Sequence, residues 1–193
     1  DQLQDAGIWP DAPTAPGTAP PPELGWIAEG ETPERRPGWF GLDRPYALLI
    51  PGGSPHRRDK RWPAGRYARL ARQLRDSGVG VGVIGGPAEA DVAREIAAAC
   101  PSAVDLTGRT DFAQIASLGA LAALAVGNDT GPTHLAAAAG APTLALFSDA
   151  SDPALCAPRG AKVRTLREPS LEGLAVEVVA DEAFKLMAGA LIP

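Results

Sequence analysis

The chain has 193 residues, enough for one domain of ordinary size with an appendage. With 45% hydrophobic and 21% charged residues it reads as globular, and no apolar run reaches the about 18 residues that would cross a bilayer. A net charge of −5 and a basic cluster without interleaved aromatics argue against a nucleic-acid partner.

Residues 1–45 differ from the rest. They hold nine of the twenty prolines, three of the four tryptophans, and eight acids against three bases. This segment reads as a Pro-rich acidic interdomain linker. Asp1 to Ile8 would be the end of an upstream helix, and Trp9, Trp26 and Trp39 would pin the linker to a surface. A preceding domain is therefore expected. The first residues lack the basic flank and apolar run of a signal peptide, and the two isolated cysteines, Cys100 and Cys156, point to reduced thiols in the cytoplasm.

From Tyr46 a regular alternation begins. Strands are expected at Tyr46–Ile50, Val79–Ile84, Val104–Leu106, Ala123–Val126, Thr143–Phe147 and Lys162–Leu166. Helices are expected at Pro63–Ser77, Glu89–Ala99, Asp111–Leu121 (capped by Asp111), Pro132–Ala139 and Leu171–Ala188. Strands apolar on both faces, alternating with helices, imply a Rossmann-like α/β domain over 46–193: a parallel sheet of about six strands with helices on both faces. Ligands of such sheets sit beyond the carboxyl ends of the strands, so the loops to inspect are 51–62, 85–89, 107–111, 127–134 and 148–160.

Within 127–134, Gly127 would free the backbone as its strand ends, and Asp129 or Thr130 could cap the next helix. Gly131 would allow a ligand to approach closely, and Pro132 suits a first helical position. The helix amides and dipole then make an anion site, with His134 in the first turn; a capped helix without a ligand is the plain alternative. The 51–63 loop has neither a dinucleotide fingerprint nor a Walker motif. It offers the Ser54 hydroxyl and a basic cluster, with eight bases from Arg57 to Arg75 against Asp59 alone. Lys60 is suited to a diphosphate, whereas Arg57, Arg58 and Arg61 could equally be solvated, as could Arg69, Arg72 and Arg75. Trp62 reads as a packing anchor. Glu89 could accept hydrogen bonds from ribose hydroxyls, or simply suit a helix start. Asp149 and Asp152 have no further ligands near them in sequence, so no metal site is expected.

These residues resemble glycosyltransferase family 9, the ADP-heptose:lipopolysaccharide heptosyltransferases. The resemblance rests on Pro51-Gly52-Gly53, Lys60-Arg61-Trp62-Pro63, Gly85-Gly86 with Glu89, Leu106-Thr107-Gly108 and Gly127 through Ala138, continuing through Gly140, Pro142 and Leu146-Phe147. It implies the C-terminal, donor-binding half of a two-domain GT-B enzyme that performs an inverting heptosyl transfer. Lys60 would neutralise the donor diphosphate, amides at Thr130 and Gly131 would bind its oxygens, and Asp129 and His134 would lie near the diphosphate–sugar linkage. Ser54 matches a hydroxyl beside the donor, Glu89 a ribose-contacting carboxylate, and Thr110 a residue beside the adenine. The resemblance implies no metal or cofactor, and a lipopolysaccharide inner-core acceptor held through a missing N-terminal domain. The general base is expected there too, so this half alone would be inactive. It also leaves room for peripheral inner-membrane association of the full-length protein. Ser148-Asp149-Ala150-Ser151 departs from the family, many of whose members carry a glycine there. The competing readings are a GT-B enzyme using a UDP-linked sugar and a non-catalytic nucleotide-binding module.

Overall fold

The computed structural model describes Pro22, Leu24 and residues 32–53 and 57–191. Among them the elements run β1 (Tyr46–Ile50), α1 (Ala64–Asp76), β2 (Gly80–Val83), α2 (Ala90–Ala99), β3 (Val104–Asp105) and α3 (Phe112–Leu121). They continue with β4 (Leu124–Asn128), α4 (Gly131–Ala138), β5 (Thr143–Phe147), α5 (Pro153–Cys156), β6 (Val163–Arg167) and α6 (Val176–Leu191). The strands form one parallel sheet in the order β3-β2-β1-β4-β5-β6. The expected strands and main helices are all present.

The sequence of β1 shows why the sheet is covered twice. All five of its residues are buried, and strand alternation divides them between two cores. Ala47 and Leu49 join Trp62, Tyr67, Leu70, Leu74 and Ile96, together with Val179 of α6. Tyr46, Leu48 and Ile50 join Ile115 and Leu118 of α3 and Ala136 of α4. A polar strand could not satisfy both faces.

Three local readings change. Within the stretch read as linker, short 3-10 turns occupy Pro33–Arg35 and Pro37–Phe40, and Phe40 and Leu42 are buried in the second core. Trp39 does not pin this segment, since it is 61% exposed; its neighbour Phe40 does so. Trp9 and Trp26 lie outside the described residues. The last helix begins at Val176 rather than Leu171. The preceding turn is held differently: Trp62 Nε1 donates to the Leu174 carbonyl at 2.9 Å, and the Arg66 guanidinium donates to the carbonyls of Leu174 and Glu172. Finally, Gly127 serves packing. A Cβ there would lie 2.3 Å from Thr133 Oγ1 and 2.8 Å from Ile50 Cβ, so glycine lets α4 close onto the sheet.

The strand order reverses direction between β1 and β4, the neighbouring pair that leads outward to β2 and to β5. The loops leaving their carboxyl ends diverge over opposite faces, and a crevice opens between them.

Candidate nucleotide-binding site

The crevice holds a cavity of about 360 Å³ lined by Ile50, Gly52, Gly53, Gly85, Gly86, Glu89 and Asp129 to Pro132. Small residues form most of its walls, and charge sits at its two ends.

One end is built around Asp129, the first residue after β4. Its Oδ2 accepts from Lys60 Nζ at 2.8 Å and from Ser151 Oγ at 2.8 Å, and its Oδ1 lies 3.3 Å from His134 Nε2. Burial on its own would raise the Asp129 pKa. The hydrogen bonds from Lys60, Ser151 and His134, with the lysine's charge, outweigh it and hold the carboxyl below its ordinary value. A depressed carboxylate stabilises the fold above its unfolded value and ceases to do so as pH falls through its lower folded value. We therefore expect an acid titration of stability to show a decline below about pH 4 that is smaller in Asp129→Asn. An unchanged acid limb in that variant would contradict this arrangement.

The cap of α4 differs from expectation. Neither Asp129 nor Thr130 caps the helix with its side chain. Asp129 is taken by its three partners, and Thr130 Oγ1 instead meets Thr133 Oγ1 at 3.2 Å. The amides of Thr133 and His134 turn back on the Thr130 carbonyl, which leaves Thr130 and Gly131, both lining the cavity, to supply amides at the helix mouth. A Cβ at Gly131 would meet nothing within 4 Å. The space beside that amide is open. A helix mouth of this kind, with Lys60 beside it, suits an anion.

The other end is Glu89, buried at the start of α2. Its Oε2 accepts from the Gly86 amide at 2.9 Å, and its Oε1 lies 3.8 Å from Arg61 Nη2. Glycines leave room for it: a Cβ at Gly85 would come within 2.8 Å of Glu89 Cβ, and one at Gly52 within 3.3 Å of Cδ. Arg61 is therefore not a solvated cation, as one reading allowed. It also donates to the Gly53 carbonyl, lying along the cavity wall. Arg57 spans outward, with Nη2 donating to the Ala150 carbonyl at 2.8 Å. Arg69 pairs with Glu177 at the surface.

Lys60, Glu89, Asp129, Thr130, Gly131 and His134 are thus brought together. Thr110 stands apart at the start of α3, outside the cavity lining, with its hydroxyl buried and unpartnered among the described residues. Ser54 lies outside the described residues. Asp149 and Asp152 both face Arg167, at 3.0 and 3.9 Å, which answers their charge. No group of His, Cys, Asp and Glu that could hold a metal occurs among the described residues.

Two residues went unassigned in the sequence. Asn128, wholly buried at the end of β4, accepts at Oδ1 from the Trp62 amide (3.1 Å) and the Tyr67 hydroxyl (3.0 Å). Its Nδ2 donates to the carbonyls of Pro51 (2.8 Å) and Gly52 (3.1 Å). One amide so fixes the start of the β1–α1 loop and its far end. A polar residue closing an otherwise apolar strand was the available signal, since such a group must find partners inside. The other is Ser151, whose sequence distance from Asp129 left no signal.

The family model "Glycosyltransferase family 9 (heptosyltransferase)" matches residues 19–179. Lipopolysaccharide heptosyltransferase 2 of Escherichia coli is 35% identical over 130 residues, 65% of this chain and 37% of that protein. Lipooligosaccharide heptosyltransferase 2 of Haemophilus influenzae is 34% identical over 114 residues, 56% of this chain and 33% of that protein. The solved E. coli ADP-heptose LPS heptosyltransferase II superposes with a TM-score of 0.74 at 27% identity, covering 88% of this chain and 53% of that one. E. coli heptosyltransferase WaaC, solved with ADP, gives 0.68 at 26%, covering 76% and 46%. The chain spans about a third of the length of its curated relatives in these alignments and about half of the solved ones.

Proposed function

This chain belongs to glycosyltransferase family 9, and on that premise we propose that it is the ADP-heptose-binding half of an inverting GT-B heptosyltransferase of lipopolysaccharide core biosynthesis. One observation carries the reading. Asp129, which holds Lys60, and the mouth of α4 line the same cavity as Glu89, an arrangement of charge that suits a nucleoside diphosphate. The diphosphate would lie against Thr130, Gly131 and Lys60, the ribose at Glu89, and the adenine toward Thr110. Asp129 and His134 would stand near the diphosphate–sugar bond.

In the transfer, that bond breaks as the acceptor oxygen forms its own bond on the opposite face of the sugar. Negative charge then grows on the departing ADP. The helix amides are fixed in place to receive it and Lys60 stands beside them, and donors arranged in advance lower such a barrier. Acceptor activation needs a general base. None is assigned to this chain, which would leave the base and the inner-core acceptor to an N-terminal domain. No described helix is long and apolar enough to cross a membrane. On this reading the protein works in the cytoplasm, at the inner-membrane face where the acceptor is presented.

Isothermal titration with ADP, UDP and ADP-heptose tests the reading. Binding of ADP and ADP-heptose with UDP much weaker is the expected result, and a preference for UDP would replace it with a UDP-sugar enzyme. Glu89→Gln should weaken ADP about tenfold, because a charged acceptor of hydroxyl hydrogen bonds is lost. The same substitution should leave 2′,3′-dideoxy-ADP binding unchanged. Equal losses for both nucleotides would remove Glu89 from the ribose.

A further inference from the structure

The β5–α5 loop reaches back to Asp129 at the cavity. It is fastened on two sides: Arg57 donates to the Ala150 carbonyl at 2.8 Å, and Arg167 pairs with Asp149 at 3.0 Å. The fastened loop delivers Ser151 Oγ to Asp129 Oδ2 at 2.8 Å, the same oxygen that Lys60 Nζ meets at 2.8 Å. Both donors meet the same carboxylate oxygen, which has a lone pair for each.

Bringing in a diphosphate changes the balance. Lys60 is the cation beside the helix mouth, so phosphate oxygens compete with Asp129 for it. A carboxylate that is only 10% exposed and loses its cation must keep another donor or leave its position. His134 approaches the other oxygen, Oδ1, at 3.3 Å. Ser151 alone of the described partners would remain on Oδ2.

We propose that Ser151 is a positioning residue of the donor site: its hydroxyl, sharing Asp129 Oδ2 with Lys60, keeps the carboxylate seated while the diphosphate draws the lysine away. The inference rests on the nucleotide-binding reading above. It also gives the departure at 148–151 a role, since the loop that differs from the family pattern is the loop that places this hydroxyl. Of the three partners of Asp129, Ser151 and His134 are those that a diphosphate would leave in place.

The experiment compares the 193-residue chain with Ser151→Ala and Ser151→Thr, using ADP as the probe. Ser151→Ala should weaken ADP binding about tenfold and Ser151→Thr, which keeps the hydroxyl, by no more than about twofold. A second readout needs no nucleotide. The titration midpoint of the Asp129 side-chain carboxyl, followed by its ¹³C shift, should rise in Ser151→Ala and stay in place in Ser151→Thr. Ser151 is on a loop and only partly buried, so both variants should melt with the parent. ADP affinity in Ser151→Ala equal to that of the parent overturns the proposal, as does an unmoved carboxyl midpoint. If the parent chain itself fails to bind ADP, the nucleotide-binding reading falls first and this proposal with it.

Discussion

Asn128→Leu should destabilise the chain by about 3–5 kcal/mol, the largest effect of any single substitution considered for this fold. Leucine has a similar volume, so packing is not the issue. Four hydrogen bonds disappear together, and the Trp62 amide, the Tyr67 hydroxyl and the carbonyls of Pro51 and Gly52 are left without their partner. Each buried polar group stranded in this way costs roughly 1–3 kcal/mol, partly relieved where the loop can shift to meet water. The Tyr67 hydroxyl has little alternative: burial already pushes its pKa far up, and its other acceptor, the Ile50 carbonyl, lies 3.4 Å away. Urea unfolding with an unchanged slope and a lowered midpoint is the expected signature. ADP binding should weaken as well, since Pro51 to Gly53 line or adjoin the cavity. A loss below about 1 kcal/mol would mean that Asn128 is not the clamp described.

Lys60→Ala should weaken ADP binding by roughly 1.5–3 kcal/mol, the worth of a charge-assisted hydrogen bond. The loss has two sources. The diphosphate forfeits a cation, and Asp129 is left facing it with one neutralising partner fewer. The second source is separable: in Lys60→Ala/Asp129→Asn the repulsion is gone, and affinity should recover part of the way. A double variant as weak as Lys60→Ala alone would show that the carboxylate does not oppose the nucleotide. Calorimetry at two salt concentrations adds a control, because the parent should lose affinity with salt more steeply than Lys60→Ala.

The sheet was readable from residues because its strands carry apolar side chains on both faces, as in Tyr46–Ile50 and Thr143–Phe147. Burial on two sides leaves a strong imprint on composition. Lys60, Glu89, Asp129 and His134 were readable because the unusual residues of such a sheet collect at one end of the strands. Other features depend on partners far apart in sequence. Asn128 looked like part of a loop, yet its amide belongs to a strand end and works across the sheet. Ser151 is one hydroxyl in a loop whose path is set by Arg57 and Arg167. Phe40 and Leu42 were hidden by the prolines around them, since two apolar residues without periodicity carry no signal until tertiary structure gives them a core. The cap of α4 misled for another reason: Asp129 has the chemistry of a cap, but an ion pair and two further hydrogen bonds claim it first.

The burial of Phe40 and Leu42 bears on where this domain can be cut. A Cβ at Gly82 of β2 would touch Leu42 Cδ1 at 3.2 Å, so the sheet is shaped to seat that leucine. A shortened or fused form of this domain must therefore keep the residues from Pro33 onward. A cut at Arg44 would leave every strand and every cavity-lining residue intact, yet it would uncover the sheet beneath Tyr46 and Leu48. On this packing the boundary of the folded unit lies ahead of these two side chains, not at the first strand.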